Sequence, residues 1–208
     1  MRRLVLVRHG ETVGNSSVRY HGRGDVALSE LGQAQMRAAA RWLRAKLQRN
    51  GFAPVFTSPL IRAREDAHLI GGPQATPIQI DEFAEVDFGR FEGLTLEEIR
   101  DRYPADFIHW RRDPLSPDYT YPGGESRSAF AARVMRGIER MLPILETAPA
   151  PYDALLVAHR GVIRTIAEYL SGAAPEIGLG SIHLLRAGTG IDRWEAELLD
   201  VTEHLEPL

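Results

Sequence analysis

Two aliphatic runs, LVLV at 4–7 and ALLVA at 154–158, both lead to a histidine: His9, preceded by Arg8, in the first case and His159 in the second. A run that is apolar at every position, not at every second one, belongs to a strand covered on both faces. Such strands occur in parallel sheets sandwiched between helices. In a parallel sheet the carboxyl ends of the strands share one edge, and in open α/β folds that edge is where ligands bind. If the two runs are neighbours, about 4.8 Å apart, His9 and His159 face each other. Alone, the tripeptide Arg8-His9-Gly10 is equally compatible with a strand that simply surfaces and leaves both side chains in water.

The rest of the chain supplies the helices that such a sheet needs. From Ser29, a stripe of Leu31, Ala34, Ala38, Trp42 and Ala45 predicts a helix closed by Gly51. PVFT (54–57) reads as a strand, and Ser58-Pro59 as the N-cap and first residue of a helix with Arg62 in its first turn. PIQI (77–80) is an edge strand, because Pro77 cannot donate to a ladder. Thr95 and Glu98 have capping-box spacing for a short helix that Pro104 stops. A Pro/Tyr-rich loop (113–124) leads to a helix from Ser126 with Phe130, Val134, Ile138, Met141 and Leu145 inward, kinked or ended by Pro143. After His159 a helix runs over 161–171, closed by Gly172, and SIHLLR and RWEAELL form two last strands joined through AGTG. Alternating strands and helices predict a three-layer α/β/α sandwich with a mostly parallel central sheet. The expected organisation is a single domain over 1–208 with a small helical and loop cap at about 90–125.

Composition narrows the function classes. The chain has 208 residues, 25 % of them charged, and a net charge of −3, which argues against a dedicated nucleic-acid binder. No segment reaches the roughly 20 apolar residues of a membrane span, and the run after Arg2 and Arg3 is too short for a secretory signal. The expectation is a cytoplasmic protein. Absence of cysteine excludes disulfides, thiolate metal sites and a cysteine nucleophile. No metal-spaced cluster is visible, so neither a metal nor another cofactor is expected. If His9, His159, Arg8 and Arg62 meet at one edge, with helix N-termini beside them, the pocket suits a dianion such as phosphate.

Six segments, in order, resemble the histidine phosphatase superfamily, the phosphoglycerate mutase-like proteins. They are LVRHGET with Asn15, GRGDVALSELGQAQ (22–35), FTSPLIRARED (56–66), FAEVDFGRFEG (83–93), YPGGES (121–126) and VAHRGVIRTI (157–166). The resemblance implies a phosphoglycerate mutase-like fold, His9 as the nucleophile, Arg8, Arg62 and His159 as the phosphate clamp with Asn15 beside them, and Glu85 as the proton donor. His21 is a substrate-edge candidate. The implied activity is a metal-independent phosphomonoester hydrolase of the phosphatase branch, acting on a small phosphorylated metabolite, with phosphate or vanadate occupying the pocket. Val86-Asp87-Phe88-Gly89 stands where mutases read Arg-His-Tyr-Gly, which favours the phosphatase; Arg111-Arg112, where mutases carry a substrate-binding pair, points the other way. A rival of another class is a catalytically weak phosphate-binding protein, against which Glu85 speaks. Two departures lie outside the implied catalytic set but make the substrate harder to read: Arg160 replaces a common glycine, and Asp66 stands where threonine is usual. Arg160, if turned to the pocket mouth, would serve a second anionic group on the substrate. The oligomeric state is not legible.

Overall fold

A computed structural model describes residues 2–48, 51–113, 116–188 and 193–206. Its strands are β1 (Arg2–Arg8), β2 (Val55–Thr57), β3 (Ile78–Gln79), β4 (Tyr152–Ala158), β5 (Ile182–Ala187) and β6 (Trp194–Val201). Its α-helices are α1 (Glu30–Leu47), α2 (Ile61–Gly71), α3 (Leu96–Arg102), α4 (Pro104–Arg112), α5 (Arg127–Thr147) and α6 (Arg160–Ser171). The sheet order is β3-β2-β4-β1-β5-β6. β3, β2, β4 and β1 are parallel, and β5 is antiparallel to both of its neighbours. The sheet is mostly parallel, as expected, with one reversed strand near its edge.

The apolar runs do what a doubly covered strand must. Leu4, Leu6 and Leu156 enter one core with α5 and α6, while Val5, Val7, Leu155 and Val157 enter a second with α1 and α2. Alternate side chains of one strand thus feed opposite layers. The β1–β4 register pairs Arg8 with Ala158, so the next residues, His9 and His159, leave the sheet side by side.

Several local expectations hold. Ser29 caps α1, Ser126 caps α5, Thr95 and Glu98 form the capping box of α3, and Gly172 closes α6 at φ 71°. Others are corrected. The buried face of α1 is Gly32, Met36, Ala39, Ala40, Leu43 and Leu47 with Ala38, not the stripe through Leu31, which is exposed; Gln48, not Gly51, closes it. Ser58 does not cap α2, which starts after Leu60. Pro104 ends α3 but also sits in the first turn of α4, a helix the sequence reading left out. Pro143 does not stop α5: it lies on the exposed face, where solvent serves the carbonyl it leaves unbonded. The AGTG connection runs into 189–192, outside the described residues.

Candidate active site

The site grows from the carboxyl edge of β1 and β4. His9 and His159 stand with ring centroids 5.1 Å apart, both nearly or wholly buried. His9 Nδ1 lies 2.8 Å from the carbonyl oxygen of Gly10, which can only accept. Nδ1 therefore carries the ring proton, and Nε2 is left with the lone pair. Burial, with Arg62 and Arg8 close by, holds the His9 pKa well below the ordinary histidine value, so the ring is neutral. His159 is neutral for the same reasons: burial first, then Arg62, His9 and Arg8.

Two arginines flank the histidines, and main-chain oxygens hold both. Arg8 Nη1 donates to Ile177 O at 2.9 Å. Arg62, fully buried on the first turn of α2, donates to Gly24 O and Gly22 O at 2.7 Å and to His21 O at 3.3 Å. That loop is fixed from behind by Glu92, whose carboxylate accepts the N–H groups of Gly22, Arg23 and Phe88. Burial lowers the Arg62 pKa and brings that of Arg8 down to about 10, while nearby Glu85 acts to raise both. Arg8 Nε, Arg62 Nε and His159 Nδ1 are buried and have no hydrogen-bond partner among the described residues.

Glu85 completes the group. It follows the 3-10 turn Asp81–Phe83, is buried, and accepts Val86 N–H at 2.9 Å and Gly161 N–H at 3.0 Å. The second bond comes from the first turn of α6, where a Cβ on Gly161 would lie 2.6 Å from Glu85 Oε1. Glycine is therefore required for the carboxylate to approach. Arg133, buried on α5, donates to the carbonyls of Glu82, Ala84 and Glu85 and forms a two-pronged ion pair with Glu125. Arg133 and this pair anchor the loop that carries Glu85.

The structure thus brings Arg8, His9, Arg62, Glu85 and His159 together. The outer candidates are placed differently. Asn15 lies exposed in a turn at φ 57°. His21 Nε2 is 2.6 Å from Gly14 O, and its carbonyl accepts from Arg62. Arg111 and Arg112 are exposed on α4. Arg160 is turned outward, more than half exposed, at 3.3 Å from Glu176, although it is near enough to lower the Arg8 pKa. Asp66 neither pairs with an arginine nor faces solvent. It is fully buried, accepts Gly10 N–H at 3.2 Å, and burial pushes its pKa well above the carboxylate range. His183 is wholly buried between Ser181 and the Asp200 N–H. Among the described residues no three of His, Asp and Glu are grouped as a metal site requires, and no helix is long and apolar enough to cross a membrane.

The chain is similar to several known proteins. A bifunctional protein of Mycobacterium tuberculosis is 35 % identical over 94 % of the chain, which spans only 51 % of that protein's length. A 2,3-bisphosphoglycerate-dependent phosphoglycerate mutase of Methylobacterium is 35 % identical, covering 96 % of this chain and 98 % of that one. The crystal structure of the alpha-ribazole phosphatase from Shigella flexneri superposes with a TM-score of 0.80 at 25 % identity, over 96 % of both chains. A mycobacterial glucosyl-3-phosphoglycerate phosphatase solved with VO3 gives 0.77 at 28 %, over 97 % and 100 %. The sequence profile of branch 1 of the histidine phosphatase superfamily matches residues 4–196, and this chain belongs to that superfamily.

Proposed function

We propose that the chain is a metal-independent phosphomonoester hydrolase acting on a small phosphorylated metabolite through a phosphohistidine on His9. The observation that carries this reading is the set of three buried, unpartnered nitrogens, Arg8 Nε, Arg62 Nε and His159 Nδ1, around a neutral histidine with a bare Nε2. Desolvated N–H groups cost free energy unless an acceptor meets them, and phosphoryl oxygens are such acceptors. Phosphoryl transfer depends chiefly on positioning and on charge stabilisation at the equatorial oxygens. His9 Nε2 attacks phosphorus, the ester P–O bond breaks, and Glu85 as a carboxylic acid protonates the leaving oxygen. Water then attacks the phosphohistidine, the carboxylate of Glu85 takes its proton, and phosphate leaves with His9 restored. The segment over about 90–125, including α3 and α4, serves as the cap in this reading.

The Methylobacterium relative supports a second reading, phosphoglycerate mutase, in which a substrate hydroxyl replaces water. Coupled assays with 3-phosphoglycerate separate the two by whether phosphate or an isomer accumulates. The test of the shared step is rapid quench with labelled substrate. A phosphoryl group on His9 that is labile in acid and stable in alkali is expected. His9→Ala should lose roughly four to six orders of magnitude in kcat while keeping the fold. Near-normal turnover in that variant would end the reading.

A further inference from the structure

Ser58 follows β2 and is fully buried. Its Oγ lies 2.6 Å from His159 Nε2 and accepts the Leu60 N–H at 3.2 Å. A serine hydroxyl has one proton to donate, and among the described residues His159 Nε2 is its one acceptor. Two arrangements are possible. With the His159 proton on Nε2, the ring donates to Ser58. The serine O–H is then buried with nothing to accept it, and Nδ1, also buried, carries a bare lone pair. That lone pair would repel a phosphoryl oxygen. With the proton on Nδ1, Ser58 O–H donates to Nε2, Leu60 N–H donates to Ser58, and Nδ1–H is free to donate to an anion. A doubly protonated ring is opposed by burial and by Arg62 and Arg8.

We propose that Ser58 is a positioning residue that fixes His159 as the Nδ1–H tautomer, so that His159 offers a donor to the phosphoryl group. The proposal rests on the reading of His159 as a phosphate ligand. Two neutral imidazoles 5.1 Å apart then receive opposite tasks from their partners. The carbonyl of Gly10 can only accept, which leaves His9 facing the substrate with a lone pair. The hydroxyl of Ser58 donates, which leaves His159 with a proton to share.

The test is the two-bond ¹H–¹⁵N correlation spectrum of the histidine-labelled full chain at neutral pH, with His159 assigned by comparison with His159→Gln. A protonated Nδ1 and a bare Nε2 are expected in the wild type. Ser58→Ala should move the ring toward the Nε2–H form and weaken inhibition by vanadate about tenfold, the loss expected for one hydrogen bond to a charged group. If Ser58→Ala does not fold, Ser58→Cys, with its weaker donor, should show a smaller shift in the same direction. A wild-type ring protonated on Nε2 would overturn the proposal, as would ring signals or vanadate inhibition unmoved in the variant that folds. The spectrum needs no turnover. Inactivity on every phosphomonoester with the Nδ1–H ring intact would defeat the hydrolase reading and support the tautomer assignment.

Discussion

β1 begins with Arg2 and Arg3 and ends with Arg8, and Arg3 and Arg8 are treated in opposite ways. Arg3, at the amino edge of the sheet, meets the Asp153 carboxylate of β4 with two bonds, Nε to Oδ1 at 2.5 Å and Nη2 to Oδ2 at 3.0 Å. Arg8, at the carboxyl edge, is bonded to a main-chain oxygen and keeps a buried Nε without a partner. The amino edge also has a cavity of about 890 Å³ lined by Phe52, Pro54, Pro151 and Tyr152 among others, yet, among the described residues, no group of unpartnered nitrogens. One edge matches its arginine with a carboxylate, and the other leaves buried nitrogens unmatched among the described residues.

The largest effects that sharpen this contrast belong at the carboxyl edge. Glu85→Gln should cut turnover of alkyl phosphates by roughly 100- to 10,000-fold, the usual contribution of a general acid. An activated aryl phosphate, whose leaving group needs little protonation, should lose far less. Equal losses on both substrates would remove Glu85 from the acid role. Arg62→Ala should lower kcat by about 100- to 1000-fold, as loss of one preorganised donor does. At the amino edge the signature reverses. Asp153→Asn should destabilise the fold by about 2 kcal/mol, because it leaves a largely buried guanidinium without its counter-charge. Its kcat/KM should stay within about twofold of wild type, measured in parallel with urea unfolding. A stable Asp153→Asn variant with impaired catalysis would break the comparison.

The smallest effect expected is in pH dependence. His9 and His159 have folded pKa values pushed well below the ordinary one, and that of His183 falls to about 4, in each case chiefly by burial. Beneath about pH 6.5 the unfolded chain takes up protons that the folded chain refuses. Their contribution to stability is thus complete above that value and declines as pH falls through it. Asp66 works the other way. Its folded value is raised, so the unfolded chain releases a proton above about pH 3.9 that the folded chain retains, and stability is lost as pH rises. Asp66→Asn should therefore raise Tm, by more at pH 8 than at pH 5. A Tm gain that does not grow with pH would show that Asp66 is ionised in the fold.

How much of this was legible in the sequence depended on contrast. β1 and β4 were readable because residues 4–7 and 154–158 are apolar at every position up to the polar edge, and α5 because Phe130, Val134, Ile138, Met141 and Leu145 stand out from polar neighbours. The face of α1 was misjudged because Ala34, Ala38, Ala39, Ala40 and Ala45 surround the helix with almost uniform side chains. Ser58 was misread because a hydroxyl before a proline fits an N-cap as well as it fits a partner for His159, a residue 101 positions away. The five central site residues came from family resemblance together with strand ends, and the fold brings them together. Their supports, Glu92, the Glu125–Arg133 pair and the carbonyls of the loop at 21–24, carry no local signal, since long-range contacts alone define them.

His9, Arg8 and Arg62 are each oriented by backbone carbonyls: those of Gly10, of Ile177, and of His21, Gly22 and Gly24. Every residue type provides a carbonyl. Substitutions at Ile177 or His21 can therefore alter shape and polarity around the clamp without removing the oxygen that aims it. The glycines at 10 and 22 are the exceptions, because a Cβ there would come within 2.5 Å or less of a neighbouring main-chain oxygen. Mutational drift can thus reshape the surroundings of these side chains while their orientation persists. This is the evolutionary latitude with which relatives at 25–35 % identity can share one scaffold while bearing the names of different enzymes.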